Sequence, residues 1–131
     1  MAALLQDIVS YLISKAVVTV DGVDIFRDFE PDTPDNIVVV SEYLGSPLPV
    51  GTTTVERGVQ IVTRNKTYEG AQLKAQAVFN ALVSENEDRR IDFTANRWAQ
   101  IHIKGIPVKF KVDSLNRVYF VFNASVVTTR D

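Results

Sequence analysis

The chain has 131 residues, a formal net charge of −2 and no cysteine. That length suits a single domain, 1–131, with a core that needs no covalent staples, and the missing cysteines exclude a disulfide framework and a thiolate metal site. The first half is acidic and the second mildly basic, without a dense cationic cluster; this argues against gripping nucleic acid as the main task and leaves open a surface that DNA merely passes.

Taken in order, residues 3–17 predict a helix. Leu4, Leu5, Ile8, Val9, Leu12, Ile13 and Val17 recur at three- and four-residue spacing, with Gln6, Asp7, Ser10, Ser14 and Lys15 mostly opposite. The polar face carries one lysine, which fits packing on a sheet and speaks against a membrane surface. No small-residue cleavage site follows the stripe, so no signal peptide is expected. No apolar run reaches the roughly 18 residues of a membrane span. Asp21-Gly22 predicts a turn before a short strand at 23–26. Pro31 and Pro34 keep the next stretch extended. Residues 36–43 then form a nearly continuous Val/Ile strand, the pattern of a strand covered on both faces.

The segment 44–54, LGSPLPVGTTT, is a long Gly/Pro/Thr-rich connection and the best candidate for a functional loop. Residues 55–64 alternate: Val55, Arg57, Val59, Ile61 and Thr63 share one face, and Glu56, Gln60, Val62 and Arg64 the other. Asn65 or Thr67 can cap a second helix over 68–84, with Tyr68, Ala71, Ala75, Val78, Phe79 and Leu82 inward. Gly70 weakens its first turn. Residues 84–90, SENEDRR, predict a solvated connection. Strands follow over 98–104, 108–112 and 117–128, with a turn at 113–116. The fold class is therefore α+β: a mixed, mostly antiparallel sheet with two helices on one face. The other face keeps Trp98, Tyr119, Val121 and Val62, apolar enough to serve in assembly.

Chemistry is sparse. His102 is the only histidine, which makes a zinc or haem site improbable and a structural or exposed role the expectation. Spatially assembled triads leave no trace in sequence, but no Gly-x-Ser-x-Gly elbow occurs. Asp28, Glu30, Asp32 and Asp35 predict a solvated acidic loop, with a weak cation site or a charged interface as the alternative; prolines interrupt any calcium-loop spacing. Lys104, Lys109, Lys111 and Arg117 read as ordinary outward residues, or else as a basic strip for phosphates. No phosphate-cradling glycine motif occurs. No catalytic residue, cofactor or metal is expected.

One ordered set of motifs goes further. An apolar helix precedes Phe29-Glu30-Pro31-Asp32-Thr33-Pro34-Asp35, which leads into a strand ending near Glu42-Tyr43-Leu44-Gly45-Ser46-Pro47. Val59-Gln60-Ile61-Val62-Thr63-Arg64 precedes a Tyr68-Glu69 helix start, and Arg117-Val118-Tyr119-Phe120-Val121-Phe122-Asn123 closes the chain. In this order the motifs resemble the tail-terminator proteins of long-tailed bacteriophages, often described as minor capsid proteins. The resemblance implies a non-enzymatic virion protein of the tail–neck region, assembled in the host cytoplasm. It implies a ring, of six subunits, that caps the tail tube, ends its polymerisation and joins tail to head. The implied partners are further copies of the chain, the major tail tube protein, a head–tail connector or stopper protein, and DNA passing through the lumen without specific binding; no membrane is involved. The residues expected at contacts are Leu44, Gly45, Ser46, Pro47, Leu48, Pro49, Val50, Gly51, Arg57, Arg64, Tyr119, Val121 and Asn123. Another neck protein, such as a head- or tail-completion factor, and a small ligand-binding or enzymatic α+β domain are the competing readings.

Overall fold

The computed structural model describes residues 3–43, 54–83, 90–94 and 97–129. Its elements run α1 (Ala3–Ser14), β1 (Ile25–Arg27), β2 (Ile37–Tyr43), β3 (Thr54–Asn65), α2 (Tyr68–Leu82), β4 (Arg90–Thr94), β5 (Arg97–Ile103), β6 (Val108–Val112) and β7 (Val118–Thr129). The segment Leu44–Gly51 lies outside the described residues. Among the described residues the strands form one mixed sheet in the order β1-β2-β3-β7-β5-β4. Only the β1–β2 pair is parallel; the remaining pairs are antiparallel. β3 flanks β7 along one side over residues 54–65. On its other side β7 pairs with β5 over 124–128 and with β6 over 118–121.

Register fixes two sheet faces. Val38, Val40, Val59, Ile61, Phe122, Ala124, Val126, Ala99 and Ile101 share one, the core face. They form a single buried cluster with Leu4, Leu5, Ile8, Val9 and Leu12 of α1 and with Val78 and Leu82 of α2. Ala71 and Ala75, one turn apart, form a second, smaller cluster with Val118 and Phe120; small side chains there let the helix backbone approach the sheet. Thr63 donates to the Ala71 carbonyl at 3.1 Å across that approach. Tyr68, predicted inward, is half exposed, its ring edge-on to Phe120 at 5.2 Å.

Three boundaries differ from the sequence expectation. α1 stops at Ser14 rather than 17, because Ala16 turns into the left-handed region at φ 58°. The Val17 amide then donates to Leu12 O and the Ala16 amide to Ile13 O, which satisfies the end carbonyls. α2 ends at Leu82 rather than 84, while Thr67, one of the two expected caps, does cap it, its hydroxyl accepting from the Gly70 amide at 2.9 Å. Gly70 leaves room for the cap: a Cβ there would lie 2.4 Å from Asn65 Oδ1 and displace that side chain. The third difference is β4, which the charge-rich 84–90 stretch hid. Its Ile91 is buried beside Ala99 while Asp92 points outward.

The opposite sheet face, here the open face, carries Val39, Ser41, Gln60, Val62, Tyr119, Val121 and Asn123 by the same register. It is partly roofed. Parallel neighbours start at the same end of a sheet, so the chain leaving β1 must travel back to begin β2. Residues 28–36 make that return.

Candidate functional site

The acidic stretch is solvated as expected, with Asp28, Glu30 and Asp32 exposed, and it is also anchored as a roof over the open face. Arg64 projects from β3 onto the open face and is 2% exposed. Its Nε donates to Asp35 O at 3.1 Å, and one terminal nitrogen donates to Pro34 O at 2.6 Å and Asp32 O at 3.4 Å. Glu30 sits 3.6 Å from its other terminal nitrogen. Arg117, two positions before Tyr119 and on the same face, is also buried. It donates to Asp113 Oδ2 at 2.8 Å, to the Asp32 carbonyl, and to the carboxylates of Asp32 and Asp35 at 3.3 and 3.5 Å. A planar guanidinium suits this job, since its fixed fork reaches several oxygens at once. The cations matched to the acidic loop are therefore two arginines of the chain itself. Arg117 is not the outward residue of a basic strip that its sequence neighbours implied.

Electrostatics follow the geometry. Desolvation pushes the Asp113 carboxyl up, but the Arg117 amide, the Arg117 guanidinium and the Leu115 amide outweigh it and hold the group down at about 2. Burial pushes the Tyr119 phenol up, nearby Glu30 adds to the rise and Arg64 opposes it. The phenol donates to Asp113 Oδ2 at 3.3 Å. Arg64, Tyr119, Asp113 and Arg117 thus form one linked constellation under the loop.

Beside the roof the open face sinks into a groove of about 240 Å³. Val39, Ser41, Gln60, Val62 and Tyr119 form its floor; Asp28, Phe29 and Glu30 line one wall and Phe110 and Lys111 the other. The β6–β7 register shifts between Lys109 and Lys111, and Phe110 is the extra residue. Lys111 Nζ lies over the Tyr119 ring at 4.6 Å.

Of the contact residues read from sequence, the structure brings Arg64, Tyr119, Val121 and Asn123 to this one face. Arg64 and Tyr119 are buried there, and Val121 and Asn123 are half-buried. Arg57 lies on the core-face side, where it donates to Glu42 at 2.8 Å. Leu44, Gly45, Ser46, Pro47, Leu48, Pro49, Val50 and Gly51 lie outside the described residues. His102 is exposed on β5, level with Ser125. Lys109 and Lys111 pair with Phe120 and Tyr119, on opposite faces, so the lysines make no single strip. Asp113 was missed as a functional carboxylate; the available signal was its i, i+4 spacing to Arg117. Among the described residues no group of three or more His, Asp or Glu is placed to hold a metal ion. None of the described helices is long and apolar enough to cross a membrane.

Fold and site together define the class: a small α+β protein whose main charged constellation is an internal clamp and whose sheet presents a roofed, grooved face. The chain belongs to the bacteriophage tail terminator family, whose model matches residues 12–130. No curated protein sequence matches it. Membership makes it a structural protein of a phage tail, located in the virion tail and in contact with other tail components.

Proposed function

We propose that this single-domain protein forms a ring, of six copies, at the head-proximal end of the tail tube. The ring ends tube polymerisation and seats the finished tail on the head–tail connector. The family match over residues 12–130 carries this reading, and the fold supports it. A closed ring needs heterologous contacts, two different patches of one subunit meeting in each interface. The sheet offers unlike edges, a short β1 at one end and the exposed β6 elsewhere. Exposed edge strands and open sheet faces recruit neighbours through unpaired main-chain groups and apolar side chains. The helices back the sheet from the core face, which leaves the edges and the open face for contacts. Val121, Asn123 and the segment Leu44–Gly51 act at those contacts. Arg64 and Tyr119 act from beneath, by holding the roof in shape. The acidic net charge suits a lumen through which DNA slides without sticking.

The test is genetic and visual. A phage lacking this gene is expected to fill heads with DNA and to make overlong, unjoined tubes, and supplying the wild-type gene in trans restores tails of one length. Tubes of normal length joined to heads in the absence of the protein would overturn the reading.

A further inference from the structure

The groove on the open face has two exposed aromatic lips, Phe29 and Phe110. Phe29 is 62% exposed and Phe110 57%, and Tyr119 lies in the floor. Gln60 adds an amide to the floor, and the lining includes charges of both signs, Glu30 and Lys111. Flat rings, hydrogen-bond donors and balanced charge are the features that seat a polyproline II strand. Proline rings stack on the aromatics, and carbonyls with no internal partner accept from side-chain donors.

The chain carries one ligand of that kind. From Leu44 to Val55 there is no charged residue, and Pro47-Leu48-Pro49 lies at the centre of the run. Resting on the ring reading above, we propose that Pro47-Leu48-Pro49 of one copy docks between Phe29 and Phe110 of a neighbouring copy.

Strand register argues for a neighbour's groove over the chain's own. Tyr43 stands level with Gly58, while Thr54 lies four residues beyond Gly58 along β3, away from the groove. The groove lies the other way, at Val39 and Ser41. At about 3.3 Å per strand residue, a path from Tyr43 back to the groove and then out to Thr54 covers roughly 33 Å. Eleven links stretch to about 36–40 Å at most, which leaves almost nothing for rising over the face and lying along the groove. A segment from an adjacent copy has no such constraint. Prolines also lower the entropy lost when the segment is ordered.

The probe is a synthetic peptide of residues 44–53, titrated into isotope-labelled full-length protein carrying Pro47→Ala and Pro49→Ala. Saturable shifts are expected at Gln60, Lys111 and Tyr119. Phe110→Ser in the protein, or alanine for both prolines in the peptide, should weaken binding at least tenfold. Phe110 is exposed, so Phe110→Ser should melt like its parent, which separates lost docking from lost folding. Absence of saturable binding at millimolar peptide, or shifts that spare the groove, would overturn the proposal. So would bound-state shifts in dilute, monomeric wild-type protein without peptide, because the segment would then fill its own groove. Tail length in phage supplied with Phe110→Ser reads the terminator function separately. Failed peptide binding with normal tail termination sinks the docking alone, and normal tails without the gene sink the ring reading.

Discussion

Arg64 and Arg117 show what a single side chain does here. Each guanidinium is removed from water, a cost offset only if the oxygens around it are well placed. For Arg64 most of those oxygens are main-chain carbonyls of 32–35. A lysine cannot reproduce three directional bonds from one planar group. Arg64→Lys and Arg64→Met should therefore both destabilise the fold, by about 2–4 kcal/mol, the range for losing charge-assisted bonds at a buried site. Thermal melting should fall by roughly 10 °C for either; a change under 2 °C for Lys would show that the fork geometry is dispensable. Sequence gave no hint of this role, because an arginine in an alternating strand reads as an outward residue. The pH response belongs to the same constellation. Asp113 is held down at about 2 against an ordinary 3.8. A depressed carboxylate stabilises the fold fully above its unfolded value, and that contribution is lost as pH falls from about 4 to about 2. Asp24 shifts in the same direction: burial pushes it up, and bonds from the Val20 and Thr19 amides and the Thr19 hydroxyl bring it down. Asp113→Asn should lower stability at neutral pH and flatten the acid limb of the denaturation midpoint. An acid limb as steep as wild type would remove Asp113 from the clamp.

At the scale of elements, periodicity carried most of the fold. The stripes of α1 and α2 and the alternation in β3, β5 and β7 placed most of their inward residues, Tyr68 and Val17 excepted, because one packed face leaves a strong pattern. Two elements resisted for different reasons. For β1 the sequence predicts a short strand at 23–26 and one is found at Ile25–Arg27, but its parallel pairing is hidden, because nothing in three residues announces a distant partner. β4 follows a charged run and has five residues, too few to establish a period against that background. The end of α1 was misplaced because Val17 continues the apolar spacing, whereas backbone geometry at Ala16 ends the helix. That geometry is testable. Ala16 adopts φ 58° where helices commonly place glycine. A Cβ in the left-handed region costs roughly 1 kcal/mol or more, and glycine gives part of that back through a larger unfolded-state entropy. Ala16→Gly should raise stability by about 0.5–1 kcal/mol in chemical denaturation. A destabilised variant would show that the turn is held by contacts of the methyl group.

For the molecule as a whole, the order of motifs led to the family, while the groove was invisible in sequence because its walls come from residues as far apart as Phe29 and Phe110. Phe29 and Phe110 line one groove because the β1–β2 return crosses the open face and the β6 bulge lies beside it. The same topology sets what the segment between β2 and β3 can do. It joins adjacent antiparallel strands whose ends stand four residues out of step, a gap of roughly 14 Å that about four links can span, so more than half of its length is free of any connecting duty. Removing Ser46–Gly51 should therefore leave the sheet intact, with a melting temperature within a few degrees of wild type. Surplus loop length costs only about 0.6 kcal/mol per doubling, so shortening it cannot by itself unfold the domain. In phage, the same deletion should leave DNA-filled heads and produce tails that are overlong or unjoined. Measured together, melting and tail length separate two roles. A folded deletion protein that still ends tails at normal length would show that neither ring closure nor tube capping uses the segment. A folded protein with uncontrolled tails would place the segment at the contact where polymerisation stops.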